Sequence, residues 1–482
     1  MQKEQRVLYI LMGASGSGKT TLLQHIVYEE KLCQAAKKYS NRRVRPSEEA
    51  DGAIIKDDVR HLSLSALEKK CDILYEINNY KYGVNSVEII KCLDDLDRDS
   101  SKSKCGLFLI LSDVRAIKLL KQKVEAGGHL VKVMYLLSRM DSSADFIRTW
   151  QKRVEEEMGA LKSTSFAYRR LEKSNQTVAR ILCEFSSKSC GGQPNVNIVE
   201  ISDLCNSLTS ALPQSETNKK RSEKIRLMFT QYVHNIGLFD HVILNTTTKE
   251  DMFKQAKNII EFYNDTNKQR LAKHKLLKGP VIFVLCASPK SGKGTLMENL
   301  NIMGASQIQI TPKYANRAPA ANDKRDGMIA LGKSGFEEKF EGEGEVWEWS
   351  FHTADNNSGG TKYAVKKDDI VKHLNKGISQ IVVSNFEQLE RITDENDTPL
   401  SRILNDLKAR MIFVYLHRVR TDDETVQQIP DAVKQKEVQE IHARYIKNIA
   451  NVDHVIINPN YLTYSEDLHD QMMSLIELYQ GR

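Results

Sequence analysis

A phosphate-binding loop near the start of the chain constrains its fold more than any other feature. Residues 13–20 read Gly-Ala-Ser-Gly-Ser-Gly-Lys-Thr, the G-x-x-x-x-G-K-[ST] pattern, between an apolar run at 7–12 and a helix-like run at 20–28. A strand, a glycine-rich turn and a helix in this order place backbone N–H groups and a helix N-terminus around an anion. The pattern predicts an α/β domain that binds a nucleoside triphosphate.

The loop also predicts which residues hold the nucleotide. Lys19 has the length to reach the β- and γ-phosphates, and the Thr20 hydroxyl is a suitable Mg²⁺ ligand. ATP and Mg²⁺ are therefore the expected cofactors, with Thr20 as the metal ligand. The predicted ATP-binding residues are Gly13, Ala14, Ser15, Gly16, Ser17, Gly18, Lys19, Thr20 and Thr21.

Length and composition bound the class of protein. A chain of 482 residues exceeds one ordinary domain, and its net charge of +7 is well mixed with acidic residues. No basic stretch interleaved with aromatic residues indicates a nucleic-acid partner. The eight cysteines form no C-x-x-C pair, and the first apolar run is too short to cross a membrane. We expect a cytoplasmic protein without a membrane partner; its oligomeric state stays open.

The second half of the chain repeats the motifs of the first half in the same order. An apolar run at 280–286 leads into a second loop-like segment at 287–295. The further matching segments are 38–42 with 313–317, 81–84 with 362–365, 108–113 with 380–385, and 240–245 with 453–458. So many matches in one order predict a tandem duplication.

The duplication predicts two α/β domains, because each half alternates short β-branched runs with helical runs. The first domain is expected over residues 1–265, with an insertion at about 160–226 that has no counterpart in the second half. A basic, polar linker is expected over 266–278 and the second domain over 279–482.

The motif order resembles the guanylate kinase superfamily of P-loop nucleoside monophosphate kinases. Residues 42–46, Arg-Arg-Val-Arg-Pro, are similar to its arginine segment, residues 81–84 to its Y-G-T turn, and residues 240–245 to its terminal D-x-V-I-x-N. Within the superfamily the first half resembles the ribose 1,5-bisphosphate kinases. The resemblance implies two tandem P-loop kinase domains, each a parallel sheet covered by helices with a lid and an acceptor-binding subdomain.

The resemblance disfavours GMP as the acceptor of the first half. Ile73 stands at the position of the glutamate that reads guanine in true guanylate kinases. Ser112 stands at the position of their strand-end carboxylate, with Asp113 one residue later. A ribose phosphate or another nucleoside monophosphate is the expected acceptor.

The resemblance assigns further roles in the first half. Arg42 and Arg45 would grip the acceptor phosphate, and Tyr82 would donate its hydroxyl to the same group. The predicted acceptor-binding residues are Arg42, Arg45, Tyr82, Asp113 and Arg115. The predicted catalytic residues are Lys19, Arg42, Arg45 and the lid arginines Arg148 and Arg153.

The second half departs from this pattern. Ala287 replaces the first loop glycine, and Ala320 stands where Arg45 stands in the first half. The residues that it keeps are Gly292, Lys293, Gly294, Thr295, Arg317 and Tyr363. We interpret this half as a degenerate domain, weakened or non-catalytic, in which a nucleotide could still bind through Lys293 and Thr295; a changed substrate stays open.

The leading hypothesis is an ATP- and Mg²⁺-dependent phosphotransferase that acts through its first half on a small phosphorylated acceptor. The alternative is a non-catalytic guanylate kinase-like module for protein interaction or nucleotide sensing. The first loop favours the enzyme, because an interaction module has no use for Gly13, Gly18, Lys19 and Thr20 together.

Overall fold

A computed structural model of the chain is α/β, with helices and parallel strands in both halves. The residues that it describes are 5–14, 17–42, 59–77, 80–96, 105–138, 228–245, 248–264, 281–288, 291–302, 308–319, 323, 327–340, 346–351, 361–386, 389–390, 410–419, 432–458 and 465–480. The predicted insertion at 160–226 and the predicted linker at 266–278 lie outside these ranges.

The strands are β1 (Val7–Gly13), β2 (Gln34–Ala35), β3 (Lys38–Ser40), β4 (Val59–His61), β5 (Ile73–Ile77), β6 (Tyr80–Val84), β7 (Gly106–Ile110), β8 (Leu130–Ser138), β9 (His241–Asn245), β10 (Val281–Ala287), β11 (Ile308–Ile310), β12 (Lys313–Ala315), β13 (Met328–Ala330), β14 (Val346–Phe351), β15 (Thr361–Lys366), β16 (Ser379–Ser384), β17 (Arg410–Arg418) and β18 (His454–Asn458).

The α-helices are α1 (Lys19–Leu23), α2 (Leu64–Lys70), α3 (Ser86–Asp95), α4 (Val114–Ala126), α5 (Lys249–Asn264), α6 (Lys293–Ile302), α7 (Gly332–Phe340), α8 (Lys367–Leu374), α9 (Ala432–Asn448) and α10 (Ser465–Gln480). The helix predicted over 20–28 is present, but it changes to π-helical geometry over Gln24–Glu29.

The main sheet of the first half has the order β2-β7-β1-β8-β9, and its neighbouring strands are parallel. All seven residues of β1 are buried, as expected for the central strand of a parallel sheet. Gly13, at the carboxyl end of β1, pairs with Leu136 of β8. The strands therefore share a carboxyl edge, which is where open α/β sheets bind ligands.

A second, four-stranded sheet has the order β4-β3-β6-β5. β3 runs parallel to β4 and antiparallel to β6, so that Ser40 pairs with Tyr82. The backbone N–H of Asn41 donates to the Lys81 carbonyl at 3.1 Å, and the Lys81 N–H donates to Asn41 Oδ1 at 2.8 Å. These bonds fix the chain just before Arg42 beside the strand that carries Tyr82.

The second half repeats both sheets. Its strand orders are β11-β16-β10-β17-β18 and β13-β12-β15-β14. The repetition extends to single hydrogen bonds: the Asn316 N–H donates to the Lys362 carbonyl at 3.1 Å, and the Lys362 N–H donates to Asn316 Oδ1 at 2.9 Å. The same sequence motif therefore produces the same local geometry twice.

The two halves pack against each other through a reciprocal pair of buried tyrosines. The Tyr445 hydroxyl donates to the Val242 carbonyl of β9 at 2.5 Å, and the Tyr232 hydroxyl donates to the Val455 carbonyl of β18. One continuous hydrophobic cluster contains residues of both main sheets. Both polar hydroxyls are thus satisfied inside an apolar interface, as buried polar groups require.

Asp240 fixes the start of β9 to β8. Its carboxylate accepts a 2.8 Å bond from the Val133 N–H and lies 3.4 Å from Lys132 Nζ and 3.8 Å from Lys121 Nζ. Burial alone would raise the pKa of Asp240, but the two ammonium groups, together with His241 and the Val133 N–H, outweigh it and lower that pKa to about 2. Asp240 is therefore held as a carboxylate in the folded chain.

None of the helices in the described ranges combines the length and the apolar character that crossing a bilayer requires.

Candidate functional site

The first loop begins at Gly13, where the chain leaves the carboxyl end of β1. A Cβ on Gly13 would lie 2.7 Å from the Leu136 carbonyl oxygen, so only glycine fits at this strand pairing. Ser17 and Gly18 return the chain to α1, and Gly18 has a φ of 98°, in the left-handed region. Ser15 and Gly16 lie outside the described residues.

Lys19 bends back over the loop. Its Nζ donates to the carbonyl oxygens of Gly13, at 2.9 Å, and of Ala14. The ammonium group therefore lies against the backbone of Gly13 and Ala14, the first two residues of the loop. Thr20 and Thr21 are exposed on the first turn of α1, and the role of Thr20 as a metal ligand stays a prediction.

The side chain of Ser17 indicates that the loop suits an anionic ligand. The residue is fully buried, and its Oγ has no hydrogen-bond partner among the described residues. A buried hydroxyl without a partner costs free energy, which is recovered when a phosphate oxygen accepts a hydrogen bond from it. Together with Lys19 and the start of α1, this donor fits a nucleoside triphosphate.

Asn245 holds the loop from the opposite side, and sequence reasoning gave it no role. Its Nδ2 donates to the Ser17 carbonyl at 2.9 Å. Gln255 of α5 bonds both backbone groups of Leu244, at 2.8 and 2.9 Å, and so keeps the end of β9 in position. The sequence signal was available in the repeated 240–245 motif, which ends in this asparagine.

The predicted acceptor residue Arg42 lies two residues after β3, and Tyr82 lies on β6, which pairs with β3. Arg42 is 8 % exposed, and its carbonyl accepts a 2.8 Å bond from His61 Nδ1. The Tyr82 ring stacks on Tyr75 with a centroid distance of 5.5 Å. The pairing of Ser40 with Tyr82 therefore places the backbone of Arg42 near that of Tyr82. Arg45 lies outside the described residues.

Asp113 and Arg115 belong to the first turn of α4. Asp113 Oδ1 accepts a 2.7 Å bond from the Ala116 N–H, which makes it the N-cap of that helix. Arg115 is exposed. Asp113 thus has a capping function at the carboxyl edge of β7, and the acceptor contact of both residues stays a prediction. Arg148 and Arg153 lie outside the described residues.

The second half contains the corresponding loop, and its arginine binds a carboxylate. Lys293 begins α6, preceded by Gly292 with a φ of 96°. The Arg317 guanidinium forms two hydrogen bonds to the Asp323 carboxylate, one of 3.0 Å, and also bonds the Tyr363 hydroxyl. These bonds to Asp323 raise the pKa of Arg317 further above its ordinary value.

No protein-family model and no curated protein matches the chain. Among solved structures, a guanylate kinase from Anaplasma phagocytophilum is similar at 18 % identity over 43 % of this chain and 89 % of its own, with a TM-score of 0.28. A complex of a UDP-glucosyltransferase from Polygonum tinctorium is similar at 11 % identity over the full length of both chains, with a TM-score of 0.18. Neither score is high enough to identify a fold or a function.

Proposed function

We propose that the first half of the chain is an ATP- and Mg²⁺-dependent phosphotransferase. It would transfer the γ-phosphate to a small phosphorylated acceptor, a ribose phosphate or a nucleoside monophosphate. The observation that carries the proposal is the first loop, where the buried Ser17 hydroxyl and the Lys19 ammonium group lie between β1 and α1.

The residues of the loop would divide the work of holding the donor. Lys19, Ser17 and the loop N–H groups would bind the donor phosphates, and Thr20 would ligate Mg²⁺. Bound ATP would supply the phosphoryl group. Asn245 would keep the loop in shape before the ligand arrives, which reduces the ordering cost of binding.

Arg42 and Tyr82 would hold the acceptor by its phosphate. A guanidinium pairs with phosphate oxygens through two parallel N–H bonds, and it does so most strongly where water is largely excluded. Arg42 is only 8 % exposed, so water is largely excluded from it. Fixing the acceptor in this way would orient its nucleophilic oxygen toward the donor without a covalent intermediate.

We infer that the second half is an altered copy of the first, as the repeated strand orders and hydrogen bonds support. The engaged Arg317 favours a second candidate function for that half, in which it binds a nucleotide without transferring phosphate. The expected cytoplasmic location stays a prediction.

The test of the proposed function is ADP release from ATP and Mg²⁺ across a panel of acceptors. The panel contains ribose 1,5-bisphosphate, GMP, dGMP, AMP, CMP and UMP, with a reaction that lacks acceptor as the baseline. We expect one acceptor to raise ADP release well above that baseline. Equal release with every acceptor and with none, in a protein that still binds ATP, would refute the proposal.

A further inference from the structure

The second loop retains the backbone contacts that shape the first. Asn458, at the end of β18, donates from Nδ2 to the Ser291 carbonyl at 2.8 Å, as Asn245 does to Ser17 at 2.9 Å. The N–H of Ser291 donates to the Ser288 carbonyl at 3.3 Å and closes the turn before α6. The replacement of the first glycine by Ala287 has therefore left this part of the loop intact.

Ser291 supplies an independent sign that this loop takes a ligand. The residue is 1 % exposed, and its Oγ has no hydrogen-bond partner within the described part of the chain. It shares this state with Ser17 in the first loop. An unsatisfied buried hydroxyl beside the first turn of a ten-residue helix, with Lys293 on that turn, matches the donors that a phosphate group needs.

In the second half, the arginine that corresponds to Arg42 is bound by a carboxylate of the same chain. Asp323 is 9 % exposed and places both carboxylate oxygens on the Arg317 guanidinium. A carboxylate bound in this bidentate way uses the same N–H donors that would bind a phosphate. An incoming phosphate would also meet the negative charge of Asp323, so the arginine is not available to it.

We propose that the second half binds the triphosphate chain of a nucleotide at Ser291 and Lys293 and holds it without transfer. Its failure to transfer follows from Asp323, and this part rests on the acceptor role proposed for the matching Arg42. The binding part rests on the second loop alone. The ligand is defined by its linked phosphates, which a nucleoside triphosphate and inorganic tripolyphosphate share.

The experiment is a calorimetric titration of the full-length chain, in which Lys19→Ala removes the ammonium group of the first loop. Mg·ATP is titrated into the wild type, Lys19→Ala, Lys293→Ala and the double variant. We expect two sites in the wild type and one strong site in each single variant. The double variant should bind Mg·ATP at least about tenfold more weakly than either single variant, because it has lost a charge-assisted hydrogen bond at both loops. Tripolyphosphate titrated into Lys19→Ala separates recognition of the phosphates from recognition of the nucleoside.

The proposal is overturned if Lys19→Ala binds no ATP, or if its remaining binding is unchanged by adding Lys293→Ala. Circular dichroism checks that the variants are folded. Hydrogen exchange in the wild type provides a second readout, because ligand at the second loop should slow exchange over 291–296; unchanged exchange there at saturating ATP also overturns the proposal. No acceptor or turnover is involved, so these results are independent of whether the first half is a kinase.

Discussion

Gly18→Ala should weaken both the fold and nucleotide binding. Gly18 has a φ of 98°, a conformation that costs an L-residue about 1–2 kcal/mol. The smaller conformational entropy of the unfolded alanine chain offsets about 0.4–1 kcal/mol of this cost. The new Cβ would also lie 3.0 Å from Asn245 Nδ2, which must move and loosen its bond to Ser17. That bond contributes about 0.5–1.5 kcal/mol, so the free energy of unfolding should fall by about 2 kcal/mol.

Gly128→Ala is the matched control. Gly128 has a φ of 89°, but a Cβ there would meet nothing within 4 Å. The free energy of unfolding of Gly128→Ala should therefore fall only by the cost of the backbone conformation, about 1 kcal/mol. This variant should keep wild-type affinity for ATP. Urea denaturation followed by circular dichroism measures the first quantity, and titration with a fluorescent ATP analogue measures the second.

One result of comparing Gly18→Ala with Gly128→Ala would refute our account of the loop. If Gly18→Ala binds ATP as tightly as Gly128→Ala does, the contact between Asn245 and the loop does not shape the nucleotide site. We expect instead that Gly18→Ala loses at least about tenfold in affinity, which corresponds to about 1.4 kcal/mol.

Three further predictions concern the interface, pH and the second half. Tyr445→Phe removes the hydroxyl that donates to the Val242 carbonyl and should lower the free energy of unfolding by about 1–2 kcal/mol in urea titrations; an unchanged midpoint would contradict this. The lowered pKa of Asp240 should contribute about 2 kcal/mol of stability, which is fully present above pH ~5 and is lost as pH falls through about 2. The difference in free energy of unfolding between wild type and Asp240→Asn should therefore decrease as the pH falls over that range. If the difference stays constant down to pH ~2, the lowered pKa of Asp240 does not contribute to stability. Asp323→Ala should remove both acceptor oxygens from Arg317 and increase the affinity for inorganic phosphate about tenfold by calorimetry, whereas no gain would show that Arg317 does not bind phosphate.

Much of the main sheet could be predicted from the sequence because the signals are local. The apolar run of β1 and the glycine-rich turn specify strand, loop and helix within about 20 neighbouring residues. The order of repeated motifs also predicted that similar elements would recur in the second half, where both sheet orders do recur. The change of α1 into π geometry had no sequence signal.

The contacts that join distant residues could not be predicted in the same way. Asn245 reaches Ser17 across 228 positions, and Tyr445 reaches Val242 across 203, so no local pattern encodes either bond. Asp323 lies only six residues after Arg317, yet pairing at that spacing depends on how the intervening turn folds. For Asp113 the sequence predicted an acceptor contact, and its capping bond to Ala116 is a structural role that the prediction did not include.

The most direct test of the central proposal follows the γ-phosphate itself. ATP labelled on that phosphate is incubated with Mg²⁺ and the acceptor that the panel selects, using wild type, Lys19→Ala and Lys293→Ala. We predict that the label appears on the acceptor with wild type and with Lys293→Ala, and that Lys19→Ala transfers it at least about 100-fold more slowly, because it lacks a cation that stabilises the transferring group. Transfer by Lys19→Ala at the wild-type rate, or label found only in free phosphate for all three proteins, would contradict the assignment of the first half as a phosphotransferase.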